Sequence, residues 1–175
     1  TVPADGQSAS TLTVQLRDKA GIGLAGVPVS MSVAGRYNVL NGLPIDPDAD
    51  WIALGTSNAT GLVTATLTSV VAETKRLYVM TDNPEVANLG SWEEGLPVTY
   101  TSGTPAGLQI LVPYEEESPG DPGGKQGWVS SHTAGQPFDL TLRAVDAFSN
   151  TAQTLDDTVA LTTTDPLADL PNIVQ

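Results

Sequence analysis

The stretch from Leu12 to Asp18 reads LTVQLRD, and its apolar residues fall on alternate positions. Side chains of a strand point to opposite faces in turn, so this period of two predicts a strand with one buried face. A turn follows, and Val27 to Val33 then reads VPVSMSV with the same alternation. The stretch from Leu140 to Asp146, LTLRAVD, echoes the first. Both copies end in an Asp whose carboxylate can accept hydrogen bonds from turn amides.

Alternating apolar positions, separated by clusters of Gly, Pro, Asn and Asp, run along the whole chain, and no dozen-residue stretch has helical spacing. The pattern predicts an all-β protein with strands near residues 9–17, 27–34, 51–56, 61–69, 75–81, 96–102, 138–146 and 157–164. It restarts at Leu108 after Gly103 and Pro105, a composition typical of a linker. We therefore predict two tandem immunoglobulin-like β-sandwiches, at residues 1–103 and 104–175, with the second incomplete.

Composition restricts the function. The chain has 175 residues and a net charge of −13, which disfavours nucleic acid and anionic lipid because both attract Lys and Arg. It has no cysteine, so neither disulfides nor thiolate metal sites can form. No apolar run approaches the roughly 20 residues that cross a bilayer, so we expect no direct membrane insertion. The many carboxylates leave Ca²⁺ as the one cofactor to consider.

Two segments resemble a known group of bacterial surface modules. Asp5 to Ser8 leads into Leu12 to Gly21 and then Gly26 to Val29, and Thr56 to Ser69 reads TSNATGLVTATLTS. In this order and spacing the segments resemble the bacterial Ig-like domains of the invasin and intimin group, over about residues 3–81. The strand that should precede Asp5 is expected to be missing. Where that group has a shorter connection, residues 46–51 are longer and more irregular.

The second half resembles a different set of repeats. The resemblance rests on Ala134 to Phe138, Ala144 to Ala147, Asn150 and Thr163 to Pro171, which are similar to Ig-like repeats of large secreted and surface-layer proteins. Its final strands are expected to be missing. Together the resemblances imply a non-catalytic extracellular structural module of a bacterial cell-surface protein, acting as a stalk, an adhesin spacer or a lattice or fibre element. The implied partners are neighbouring Ig-like modules of the same polypeptide or other subunits.

Two acidic groups are candidate calcium ligands. Asp46, Asp48 and Asp50 alternate as at the start of a calcium loop, but Trp51 stands where the sharp-turn Gly belongs. The second group is the densest acidic run and lies beside several Gly and Pro residues; its members are Glu115, Glu116, Glu117 and Asp121. A solvated, exposed loop is the simpler explanation of both groups.

The alternative function is a carbohydrate- or receptor-binding module of an adhesin or secreted enzyme. Trp51, Trp92 and Trp128 stand in or beside predicted loops, where they could stack on sugar rings or plug the end of a sandwich. A host receptor or glycan is then a partner. Catalysis is disfavoured, because His132 is the single histidine and the chain lacks a nucleophile-elbow Gly-x-Ser-x-Gly motif.

Overall fold

The computed structural model describes residues 1–45, 51–84, 86, 95–152 and 157–170. Within these ranges the chain forms thirteen β-strands and no helix, which confirms the all-β prediction. The strands are Val2–Pro3 (β1), Ser10–Gln15 (β2), Pro28–Val33 (β3), Asn38–Leu40 (β4), Leu43–Pro44 (β5), Ile52–Thr56 (β6), Leu62–Ser69 (β7), Thr74–Met80 (β8), Leu96–Thr101 (β9), Gly107–Leu111 (β10), Glu115–Glu117 (β11), Lys125–Gly127 (β12) and Thr141–Val145 (β13). The described part of the chain thus contains no helix with the length and apolar character needed to span a bilayer.

The strands β1 to β9 build a sandwich of two sheets, which we call the first unit. One sheet has the order β1-β9-β8-β3-β6 and the other β2-β7-β4-β5. Strands close in sequence, such as β2 and β3, therefore lie in opposite sheets, as in an immunoglobulin-like sandwich. The inward positions alternate as predicted, and one core cluster contains Val29, Met31 and Val33 of β3 and Val63, Ala65 and Leu67 of β7.

The core of the first unit is apolar, and a buried hydrogen bond from Tyr100 connects its two sheets. Its buried members run from Ala4 to Tyr100, and full burial of each large aliphatic side chain stabilises the fold by about 1.5–3 kcal/mol. The Tyr100 hydroxyl, on β9, donates a hydrogen bond to the carbonyl of Leu67, on β7 of the facing sheet. This bond ties the two sheets together at a buried position.

The strands β10 to β13 form what we call the second unit. Strand β10 pairs antiparallel with β13, placing Ile110 opposite Leu142, and β11 pairs antiparallel with β12, placing Glu115 opposite Gly127. Among the described residues, these are two separate two-stranded sheets. The description of this half as a second Ig-like sandwich stays a prediction.

The structure corrects the predicted strands at four places. Strand β1 precedes Asp5 and pairs in parallel with β9, so the opening strand of the first unit is present. Strands β4 and β5 were missed because they are short and surround the Asn41–Gly42 turn. The acidic stretch at residues 114–127, expected to be a flexible loop, contains the β11–β12 hairpin. The strand expected near 157–164 is not formed in the described residues.

Candidate functional site at the junction of the two units

Three five-residue turns share one hydrogen-bond pattern. In the turn Asp18 to Ile22 the first side chain accepts hydrogen bonds from the amides of the third and fifth residues, each at 2.8 Å. The turn Asn58 to Leu62 repeats this at 2.9 and 3.0 Å, and the turn Asp146 to Asn150 at 2.9 and 3.0 Å. The expectation that the Asp ending each echoed strand accepts bonds from turn amides is confirmed. Two of the three turns lie in the first unit, and the third lies in the second.

The third turn also bonds, through the side chains of Asp146 and Asn150, to other parts of the chain. The second carboxylate oxygen of Asp146 accepts a bond from the Gly103 amide in the connecting segment, at 2.8 Å. Asn150 is 1% exposed, and its Nδ2 donates to the Val70 carbonyl at 2.9 Å while its Oδ1 accepts from the Ala72 amide at 2.7 Å. Asn150 Nδ2 also donates to both oxygens of Asp146, at 3.2 and 3.0 Å. One buried Asp–Asn pair thus joins the connecting segment, the first unit and the second unit.

A second set of polar contacts crosses the junction beside this pair. Arg36 and Tyr37, which precede β4, face Ser118 and Asp121 of the β11–β12 loop. Arg36 Nη2 lies 3.0 Å from the Ser118 hydroxyl and 3.6 Å from the Asp121 carboxylate, and the Tyr37 hydroxyl donates to Asp121. The hydrogen bond from the Ser118 hydroxyl, followed by that from Tyr37, lowers the pKa of Asp121. The same contact with Asp121 raises the pKa of Tyr37.

A cleft of about 670 Å³ opens between these two sets of contacts. Its walls come from both units and include Arg36, Glu73, Tyr100, Glu117 and Asn150. Beside it Lys75 has a fully buried side chain, and its ammonium donates to the Arg36 carbonyl at 2.8 Å and to the Glu73 carboxylate. Burial lowers the pKa of Lys75. Lys75 is therefore committed to these two acceptors and offers no free ammonium to the cleft.

The acidic run of the second unit does not converge on one point. Glu115 pairs with Lys125 at 2.8 Å, Glu117 pairs with Arg143, and Asp121 faces Arg36. The hydrogen bond from Lys125 lowers the pKa of Glu115. In the ranges given above, no three Asp, Glu, His or Cys side chains are grouped so that they could hold a metal ion. Ca²⁺ binding by Glu115, Glu116, Glu117 and Asp121 therefore gains no support from this arrangement and stays a prediction.

The other predicted site residues are scattered. Asp46, Asp48, Asp50 and Trp92 lie outside the described residues, and Ca²⁺ at the first three stays a prediction. Trp51 is half-buried immediately before β6. Trp128 follows β12 in the second unit, is 68% exposed and stacks on Tyr114. His132 is exposed and stacks on Phe138.

The sequence pattern did not predict that Asn150 or Tyr37 would lie at a junction between the units. Asn150 ends the turn that follows the echoed strand, at the position of Ile22 in the first copy. Ile22 is 66% exposed, so the match to the first copy gave no sign that Asn150 is buried. Nothing local marks Tyr37, whose partner Asp121 lies 84 residues further along the chain.

No protein-family model and no curated protein matches the chain. The chain is similar to intimin and invasin. The likeness to the D0-D1 domain of intimin has a TM-score of 0.41 at 25% identity and covers 63% of this chain and 49% of that one. The likeness to invasin, described as a bacterial integrin-binding protein, has a TM-score of 0.48 at 20% identity and covers 98% of this chain and 31% of that one.

Intimin and invasin are the two proteins that name the group of Ig-like domains that residues 3–81 resemble in sequence. The chain spans about half the length of the intimin structure and about a third of the invasin structure. Both TM-scores are below 0.5. The Ig-like assignment of the first unit therefore rests on its own strand order and register.

Proposed function

We propose that this chain is a non-catalytic extracellular structural module of a bacterial cell-surface protein, whose two units form one stiff joint within a stalk, spacer or lattice. The observation that carries the proposal is the buried Asp146–Asn150 pair, which bonds Gly103, Val70 and Ala72 together. Separating the units would exchange these three bonds for bonds to water, at a net loss of roughly 0.5–1.5 kcal/mol for each. A joint of this kind transmits orientation from one unit to the next.

The remaining features support a structural role over a catalytic one. His132 stacks on Phe138 at the surface, and in the described part of the chain it bonds to no Asp or Ser side chain. Lys75, the one fully buried ammonium among the described residues, is held by a carbonyl and a carboxylate. We also propose that the chain's partners are neighbouring modules, other subunits or a host receptor. The joint between the two units forms without them.

The joint is tested by measuring whether the two units tumble together. In ¹⁵N relaxation of the whole chain, we expect a single rotational correlation time for both units. Asp146→Ala should give each unit a shorter time of its own, because it removes the bonds to Gly103 and Asn150. The matched control is Asp18→Ala, which removes the same turn bonds within the first unit only and should leave the tumbling coupled.

A second variant separates loosening from unfolding. Tyr37→Phe keeps the aromatic ring and leaves the Asp146 turn intact, and it removes a hydrogen bond that crosses the junction. We expect partial decoupling with all amide signals of both units retained. Independent tumbling in the unmodified chain, or coupled tumbling in a folded Asp146→Ala variant, would contradict the proposal.

A further inference from the structure

A second cleft, of about 460 Å³, lies wholly in the second unit. Its walls include Val112, Pro113, Tyr114, Phe138, Asp139 and Thr141. These residues come from the segment between β10 and β11 and from the segment leading into β13. The pairing of β10 with β13 places the two segments side by side, since Leu111 lies opposite Thr141. The cleft is therefore a direct consequence of the sheet register.

Aromatic rings flank this cleft in two stacked pairs. On one side Tyr114 stacks on Trp128, with ring centroids 5.9 Å apart and an interplanar angle of 11°. On the other side Phe138 stacks on His132, with centroids 4.3 Å apart and an angle of 16°. Tyr114 and Trp128 are 62% and 68% exposed. Tyr114 and Phe138 thus line one opening, and each is a solvent-exposed ring stacked on a second exposed ring. This is unusual because solvent exposure of large rings forfeits their burial energy.

The local backbone holds the first pair in place at a cost. Tyr114 has a φ of 75°, a left-handed conformation that costs a non-glycine residue about 1–2 kcal/mol. Opposite it, a Cβ on Gly127 would lie 2.1 Å from the Tyr114 carbonyl oxygen, so only glycine fits at that position. Gly127 immediately precedes Trp128. The close approach of β11 and β12 at Gly127 therefore places Trp128 beside the Tyr114 ring.

The charges at the cleft favour a neutral ligand. Glu115 is neutralised by Lys125 at 2.8 Å, and its carboxylate also accepts the Val112 amide at 3.1 Å. Asp139 remains as a carboxylate on the lining, and Thr141 adds a hydroxyl. The net charge of −13 repels anionic ligands. Because Glu115 is paired with Lys125, Asp139 is the one unpaired carboxylate among the lining residues. One carboxylate is too little negative charge to bind a strongly basic peptide.

We infer that this cleft binds a neutral oligosaccharide. The apolar C–H faces of sugar rings pack on exposed aromatic rings, while their hydroxyls donate to Asp139 and Thr141, which are both acceptors. This site lies away from the residues that form the joint, so either proposal can fail without the other.

The inference is tested by calorimetric titration of the full chain with two neutral probes, cellohexaose and chitohexaose, and with hexalysine as a cationic probe. We expect at least one hexasaccharide to bind and hexalysine not to bind. Trp128→Ala and Phe138→Ala should each weaken that binding by roughly ten-fold, through loss of one stacking surface. The control is Leu43→Ala, a side chain of similar exposure in the first unit, which should leave binding unchanged.

Three outcomes would overturn the inference. If neither hexasaccharide binds at millimolar concentration, the cleft is not a sugar-binding site. Equal binding by a Trp128→Ala, Phe138→Ala double variant that keeps its circular dichroism spectrum would place binding elsewhere. Binding of hexalysine in preference to both sugars would assign the cleft to a basic peptide instead.

Discussion

At the residue scale, the three matching turns differ at their fourth position. Gly21 and Gly61 stand there with φ of 84° and 80°, whereas the third turn has Ser149 with φ of 64°. The left-handed conformation costs an ordinary residue about 1–2 kcal/mol and costs glycine nothing comparable. In the third turn this strain is sustained by the bonds of Asp146 to the Phe148 and Asn150 amides. The turn that forms the joint is therefore the strained one.

Replacing the strained residue should stabilise the protein. We expect Ser149→Gly to raise the free energy of unfolding by about 0.5–1 kcal/mol, because relief of the left-handed strain exceeds the entropy that glycine loses on folding. Urea unfolding followed by circular dichroism measures the change. The reciprocal variant Gly61→Ser should be destabilising, since its Cβ would lie 2.3 Å from the Leu16 carbonyl oxygen. A loss of stability in Ser149→Gly would mean that the serine makes a contact that outweighs its strain.

At the scale of elements, the two sheets of the first unit are held by apolar packing and by Tyr100. Strand β9 carries Tyr100 inward between its outward-facing neighbours, and the ring is 2% exposed. The hydroxyl reaches the Leu67 carbonyl on the facing sheet. A hydroxyl at the end of a buried ring needs a hydrogen-bond acceptor, and the Leu67 carbonyl supplies it.

Removing this hydroxyl should weaken the sandwich without changing its shape. We expect Tyr100→Phe to lower the free energy of unfolding by about 1–2 kcal/mol, because it removes a buried hydrogen bond between the two sheets. Thermal unfolding followed by calorimetry measures the loss. Tyr114→Phe is the control, because that ring is exposed, and its effect should stay within about 0.5 kcal/mol. Equal effects of the two substitutions would argue against the inter-sheet bond.

At the scale of the whole molecule, the junction responds to acid. The pKa of Asp121 is lowered in the folded chain by the hydrogen bonds from Ser118 and Tyr37 and by the charge of Arg36. A carboxylate whose pKa is lower in the folded state contributes stability above its unfolded pKa, near 4, and loses it as the pH falls through the folded value. Glu115 shows the same direction, but its partner Lys125 lies within the second unit.

The junction should therefore loosen below about pH 4 while the apolar core of the first unit persists. Small-angle X-ray scattering of the whole chain should show an increase in radius of gyration over this range, with circular dichroism confirming that the strands remain. Asp121→Asn should loosen the junction at neutral pH and reduce the acid-dependent step. A step of the same size in Asp121→Asn and in the unmodified chain would assign the acid response to other carboxylates.

Local pattern was enough to predict the long strands of the first unit. The alternation in LTVQLRD and VPVSMSV predicted β2 and β3, and their observed inward residues are those the alternation assigned to one face. The Asp-ended turns were predicted as well, because a side chain that bonds amides two and four residues ahead needs no distant partner. Short strands such as β4 and β5 were missed, since two or three residues carry too little periodicity.

The sequence by itself determined the all-β class, the order of the long strands and the turns that end them, because each depends on side chains within a few residues of one another. The tertiary structure alone decided the two candidate sites. Asn150 meets Ala72 across 78 residues, and the Glu115 to Asp121 run is divided among Lys125, Arg143 and Arg36. Tyr114 and Phe138 share a cleft because β10 and β13 pair. Such meetings depend on how separate elements pack, and no local period in the chain encodes them.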